Sequence, residues 1–231
     1  LSIYDKKCAL FPKLLPVSFI ISTFAGKLTF VSMMEVKSKG QQVSRREEIL
    51  DKAARLFKQK GYVATTMREI AEQVGMEAAS MYNHIRGKEE LLEEICARVA
   101  ETYVNQMNEI ESSDLSPIHK LQALIRSHIS ITTKNIHWIS VANNEWRHLP
   151  ETSLKSFKKA RDTYEDRLAE IIRSGIDCQE VADVHVSITL YTILSSLRWI
   201  ETWYKPNKSY NAHDLEENIV NILMNGLKKS G

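Results

Sequence analysis

From Glu35 onward the apolar residues recur at helical spacing, and no stretch alternates apolar and polar long enough to make a half-buried strand. That single pattern restricts the fold to an all-α architecture. The scarcity of turn formers agrees with it: 8 Gly and 5 Pro in 231 residues exclude low-complexity chains and many-turned β architectures. A formal charge of +2 does not by itself announce a nucleic-acid partner, so any such function must be read from local pattern. Three dispersed cysteines, Cys8, Cys96 and Cys178, provide neither a disulfide framework nor a CxxC motif, a usage that suits a reducing cytoplasm.

The first 34 residues differ from the rest. Ala9 to Phe30 is rich in Leu, Phe, Ile, Ser and Thr, carries Pro12 and Pro16, and is interrupted by Lys13 and Lys27. It is too short and broken for a membrane span. Lys6 and Lys7 ahead of an apolar stretch have the outline of a signal peptide, but export does not suit the remainder of the chain. The preferred expectation is an over-extended gene start with the chain beginning at Met33 or Met34; a poorly ordered tail is the plainer alternative. No membrane partner is expected.

Residues 35–90 are expected to form a compact head. Ser44 with Glu47 forms a capping-box pattern, and Ile49, Leu50, Ala53, Ala54, Leu56 and Phe57 line one helical face that Gly61 ends. Thr65 or Thr66 caps a second helix carrying Met67, Ile70, Ala71 and Val74 inward. Gly75 makes the sharp turn, because glycine enters the left-handed conformation cheaply. A third helix is expected around Glu77 to Ile85, burying Met81 and Ile85, and Gly87 with Lys88 opens a long fourth helix. Two short helices joined by a glycine turn and braced by another make a helix-turn-helix. Ala78, Ala79 and Ser80 are small enough for a helix to sink into the major groove, and Ser80 and Asn83 have donors and acceptors suited to base edges. Tyr82, His84 and Lys88 end in donors suited to phosphate oxygens, which fix register. Arg45 and Arg46 are expected on a flexible arm that touches backbone or minor groove.

The segment from Thr66 to Lys88 closely resembles the DNA-binding head of the TetR family: a Thr cap (Thr66), the Ile70–Ala71 pair, the Gly75 turn, Tyr82, His84, and Lys88–Glu89 opening the next helix. The preceding helix with its Gly61–Tyr62 ending matches as well. The departures are Ile85 for the usual Phe, Glu77 at the usual Ser/Thr cap, Ala78 where Lys or Arg is common, and Arg86 near the usual Pro. The resemblance implies a homodimeric, ligand-responsive repressor that reads a pseudo-palindromic stretch of double-stranded DNA and pairs through its last two helices. An alternative is a helical binding module whose head serves a protein partner.

Residues 91–231 are expected to form a helical effector-binding and dimerisation domain, for about nine helices in all. Helices are placed near Pro117–Lys134, His137–His148, Glu151–Gly175, Asp183–Trp203 and Ala212–Lys229, with breakers at Pro117, Pro150, Gly175, Pro206 and Asn207. The helix after Asp183 is apolar nearly all round, so burial on more than one side is expected. A polar-aromatic cluster supplies candidate effector contacts: Trp138, Asn143, Trp146, Arg147, Arg161 and Tyr164, with Trp199 beyond. The C-terminal pattern (WRHL, KKARDTYEDRL, RWIETWYKP) is loosely similar to a branch that responds to CoA thioesters of fatty acids or sterol-ring fragments. For such a ligand Arg147, Arg161 and Arg167 are candidate phosphate partners.

No enzyme, cofactor or metal site is expected. Glu145 and His148 form an E-x-x-H without a second copy, and His119, His128 and His137 recur every nine residues, which is not a chelating spacing. GxSxG, Walker A, GxGxxG and HExxH are absent from the sequence.

Overall fold

The computed structural model describes residues 44–205 and 210–227, which form nine α-helices, one 3-10 turn and no strand. The expectations for residues 1–34 and for the Pro206–Asn207 breaker lie outside the described residues. The helices are α1 (Arg45–Lys60), α2 (Met67–Gln73), α3 (Ala78–Met81), α4 (Lys88–Glu111), α5 (Pro117–Lys134), α6 (Ile136–Asn144), α7 (Glu151–Asp177), α8 (Val186–Trp203) and α9 (Ala212–Asn225). The 3-10 turn, Trp146–His148, lies between α6 and α7.

Local chemistry explains most of the boundaries. Ser44 accepts from the Glu47 N–H at 3.3 Å, but the Glu47 carboxylate turns to Arg98, so only half of the expected capping box forms. The full box belongs to Thr66 and Glu69 at the start of α2. There the Lys60 ammonium and the Thr66 backbone N–H pull the Glu69 carboxyl down to about 2. Gly61 (φ 84°) and Gly75 (φ 65°) take the left-handed region, as the turns require.

Several expected extents change. The helix placed at Glu77–Ile85 is one turn, Ala78–Met81; Asn83 and His84 then bond back to Ser80 and Met81 in three-residue turns. Glu77 makes no side-chain cap bond. The helix placed at His137–His148 ends at Asn144 and tightens into the 3-10 turn, because Pro150 keeps Leu149 out of the helical region. Gly175 breaks nothing. It lies inside α7 at a close approach, where a Cβ would stand 2.5 Å from Val181 Cγ2.

Two buried clusters hold the chain together. The first joins α1, α2, α3 and the start of α4 to Ile131, Trp138, Ile139, Val141 and Phe157. The second fills the space among α5, α7, α8 and α9. The head is therefore seated on the body, and α4 runs unbroken across the boundary drawn at 90/91. Among the described residues no helix is long and apolar enough to cross a membrane.

Candidate functional site

In the head Thr66, Ala79, Ser80, Tyr82, Asn83 and His84 are all exposed, while Met81 and Ile85 are buried and anchor α3. Ala78 is half-buried against the first core. Tyr82 is 56% exposed.

Three of the expected contacts are placed differently. Arg45 and Arg46 open α1 and are not on a loose arm. The Arg46 guanidinium is tied to Glu90 (2.7 Å), Glu94 (2.5 Å) and the His84 carbonyl (2.7 Å), so it braces α1 against α4 and the α3 turn. Arg45 pairs with Glu48. The pattern assigns Lys88 to a phosphate, but its ammonium donates to the carbonyls of Tyr62, Val63 and Thr65 at 3.0, 3.1 and 3.1 Å. An ammonium has three hydrogens, and all three are engaged. Lys88 also lies 4.6 Å from the Tyr62 ring centroid, and that ring stacks on His148 of the body. It is a clamp on the α1–α2 turn. Sequence periodicity places a residue on a face, but not the acceptors that tertiary folding brings to it.

In the body, α4, α5, α6, α7 and α8 surround a cavity of about 270 Å³. Val99, Ala100, Tyr103 and Val104 come from α4, His128 from α5, and Ala142 and Asn143 from α6. Phe157, Ala160, Arg161, Tyr164 and Glu165 come from α7, and Tyr191, Leu194, Ser195 and Arg198 from α8. The cavity thus gathers three of the seven expected residues: Asn143, Arg161 and Tyr164.

The other four lie elsewhere. Trp138 is buried in the first core, with Arg98 over its ring. Trp146 packs against Phe157, behind the wall, under the cations of Arg147, Lys158 and Arg161. Arg147 covers that indole from the exposed side. Trp199 is 67% exposed, one position beyond Arg198 and so about 100° around α8 from the cavity. Arg167, a further phosphate candidate, is engaged by Glu111 and Asn108.

Sequence reasoning missed Tyr103, His128, Tyr191 and Arg198. Tyr103 and His128 sit on amphipathic helices where they look like ordinary core residues, and no local signal marks them.

The cavity is polarised. At the open side, Arg198 donates to the Asn143 carbonyl at 2.5 Å. Burial, then the charges of Arg161 and Arg147, hold its guanidinium below the ordinary value, with Glu201 and Glu165 opposing. Arg147, Arg161 and Arg198 thus stand close enough to raise one another's potential, and the nearby carboxylates offset only part of it. At the inner side, the His128 ring stands 4.5 Å from Tyr103 and 6.5 Å from Tyr164. Burial pushes both phenol groups up and holds the His128 imidazole neutral, its pKa pushed down to about 4.

That depression has a pH consequence. An unfolded histidine takes a proton near 6.5, whereas this one in the fold resists until about 4. The unfolded chain therefore binds the extra proton in that window, and stability falls as pH drops through it. Relative to His128→Gln, the wild type should lose about 2–3 kcal/mol between pH 6.5 and 4. Denaturant melts across that range measure this; parallel curves for the two proteins would refute it.

One buried contact links the cavity wall to the head. Glu201 of α8 is 5% exposed and accepts from Asn144 Nδ2 at 2.8 Å. Lys58 of α1 donates to the Glu201 carbonyl at 3.1 Å and stands 3.7 Å from its carboxylate. Among the described residues no cluster of metal-binding side chains occurs.

Comparison with known proteins agrees with this anatomy. Over 200 residues the chain is 25% identical to the HTH-type transcriptional repressor KstR2 of Mycolicibacterium smegmatis, covering 85% of this chain and 97% of that protein. The structure of the ketosteroid transcriptional regulator KstR2 of Mycobacterium tuberculosis shares the fold, with a TM-score of 0.78 at 23% identity over 83% of this chain and 98% of that one. AibR, solved in complex with isovaleryl coenzyme A and operator DNA, matches with a TM-score of 0.70 at 25% identity, over 78% and 98% of the two chains. Residues 49–95 match the family model for bacterial regulatory proteins of the tetR family, and residues 114–227 match the tetracyclin repressor-like C-terminal domain. With the helix-turn-helix at one end, the helical pocket at the other and both family models matched in order, the chain belongs to the TetR family of transcriptional regulators.

Proposed function

We propose that this protein is a homodimeric repressor that binds a pseudo-palindromic operator and releases it when an anionic, lipid-like effector, a CoA thioester by preference, fills the body cavity. The observation that carries this reading is α4. Its first residue, Lys88, clamps the head, while Val99 to Val104 form a wall of the cavity. Its 24 residues make a rod of about 36 Å, so a wall displaced by a ligand tilts the head.

Residues 35–90 then serve as the DNA-reading part, with Ser80 and Asn83 on base edges and Tyr82 and His84 on phosphates. Residues 91–231 serve as the sensing and dimerising part. Exposed Ile188, Tyr191 and Trp199 on α8 and Ile222 on α9 support pairing through these two helices, since one such apolar face invites another. Two heads one duplex turn apart read one operator, and the ligand favours the spacing that does not fit.

The anion would engage Arg161 and Arg198. Drawing Arg198 off the Asn143 carbonyl disturbs the end of α6, where Asn144 holds Glu201 and Glu201 holds Lys58 of the head. This gives the ligand a second route to α1.

The test is operator selection on random duplexes, followed by anisotropy titrations across salt, with and without octanoyl-CoA. Sequence-specific, salt-steep binding that octanoyl-CoA weakens supports the reading. Asn83→Ala should relax base preference and Tyr82→Phe should weaken all sequences alike. Arg198→Ala should cost about tenfold or more in thioester affinity, the worth of a charge-assisted hydrogen bond. Failure to select any operator would return the head to a protein partner.

A further inference from the structure

We propose that the seam between head and body is an acid-sensitive latch: a proton taken up by His137 opens the α1–α6 contact and weakens operator binding. The effect on the operator rests on the repressor reading above; the latch does not.

His137 is the second residue of α6, where that helix packs against α1 of the head. Arg55 of α1 places a guanidinium nitrogen 3.2 Å from its Nε2. A guanidinium only donates, so Nε2 must keep its lone pair and the neutral ring carries its proton on Nδ1. Nδ1 is buried and has no hydrogen-bond partner among the described residues. An imidazolium donates from both nitrogens. In the closed seam one of them would meet a donor and the other no acceptor, so the charged ring has to leave or push α1 away.

The surrounding charges act in the same direction. The helices packed against α6 are α1, α4, α5 and α8. From α1, Arg55 and Lys58 oppose the proton; Asp51 favours it but is paired with Arg55 at 3.0 Å. On α8, Glu201 is held by Lys58 and Asn144. On α4, Arg98 covers the neighbouring Trp138 ring, and α5 ends in the exposed cation Lys134. Burial first, then the two α1 cations, keep the imidazole below its ordinary value. In an opened seam the ring would take its proton at about 6.5, so falling pH favours the open state. The closed seam fixes the tilt of each head on its body, and two heads must hold one spacing to read an operator.

The test compares the full-length wild type with His137→Gln from about pH 7.5 to about pH 5, since glutamine keeps an acceptor for Arg55 and does not titrate. Cys96, 1% exposed in the core that joins head to body, reports opening through its rate of modification by methyl methanethiosulfonate, read by peptide mass spectrometry. The ratio of wild-type to variant rates should rise about tenfold across that range, the order set by protonation of an open imidazole. Taking the ratio at each pH cancels the titration of the thiol and of the other histidines. Arg55→Gln, which offers an acceptor in place of the guanidinium, should flatten the rise. Operator affinity, followed by anisotropy, should fall about tenfold more in the wild type than in His137→Gln. A flat rate ratio, or a rise that Arg55→Gln leaves unchanged, overturns the latch. A rising ratio with parallel operator curves overturns its effect on DNA. A rising ratio with no operator selected keeps the latch and removes the repressor reading alone.

Discussion

Replacing Lys58 with methionine should destabilise the fold by about 3 kcal/mol, because it strands a buried carboxylate. Glu201 is 5% exposed and has two side-chain partners, Lys58 at 3.7 Å and Asn144 at 2.8 Å. Methionine keeps the aliphatic stem of Lys58 but removes the opposing charge and the bond to the Glu201 carbonyl. In a chain of this size the thermal midpoint should fall by ~6–12 °C. Removing both charges, Lys58→Met with Glu201→Leu, should recover most of the loss, since the burial cost of the carboxylate disappears with it. Circular-dichroism melts of the two single variants and the double complete the cycle. A neutral Lys58→Met would show that the pair is solvated and holds nothing. The double variant also tests the link between body and head: it should keep operator binding and show a blunted response to octanoyl-CoA.

Lys88→Met should have the second-largest effect, and its salt dependence separates a clamp from a phosphate anchor. Losing the ammonium leaves the carbonyls of residues 62, 63 and 65 without their shared donor. The half-exposed turn can recruit water for part of the loss, so the net cost is about 2 kcal/mol and not the full sum of three charged hydrogen bonds. Operator affinity should drop for every sequence as the α1–α2 turn loosens. The slope of log affinity against log salt should stay as in the wild type, because no phosphate contact is lost. A direct phosphate partner would instead lower that slope by ~0.9. A reduced slope with an unchanged melting temperature would put Lys88 back on the DNA.

Most of the head was legible in the residues. The apolar spacing from Ile49 to Phe57, the turn glycines Gly61 and Gly75, and the Thr66 cap act through neighbours three or four positions away, so the sequence displays both partners. The exposed positions Ser80, Tyr82, Asn83 and His84 follow from the same periodicity, because Met81 and Ile85 must point inward. The body helices were legible as elements, with ends displaced by two to four residues where a turn tightened or a glycine served packing.

The cavity was only partly legible. Asn143, Arg161 and Tyr164 line it; Trp138, Trp146, Arg147 and Trp199 do not. Aromatic and basic residues are conspicuous in a sequence, but which way each points depends on rotations of whole helices against partners far along the chain. Trp199 and Arg198 are adjacent in sequence and end on different faces of α8.

The helix-turn-helix thus differs in kind from the rest of the functional surface. Its all-helical frame, glycine turns and exposed face arise from local spacing, and the amino-acid sequence determines them by itself. Only the tertiary structure decided which of its cations are free. Arg46 meets Glu90 and Glu94, and Lys88 meets three carbonyls, across separations of more than twenty residues. The same holds for the pocket, whose inner end needs α4, α5 and α7 side by side before Tyr103, His128 and Tyr164 can meet. Hydrogen-bond donors and charges act over a few ångströms, and only folding determines which groups come within that range.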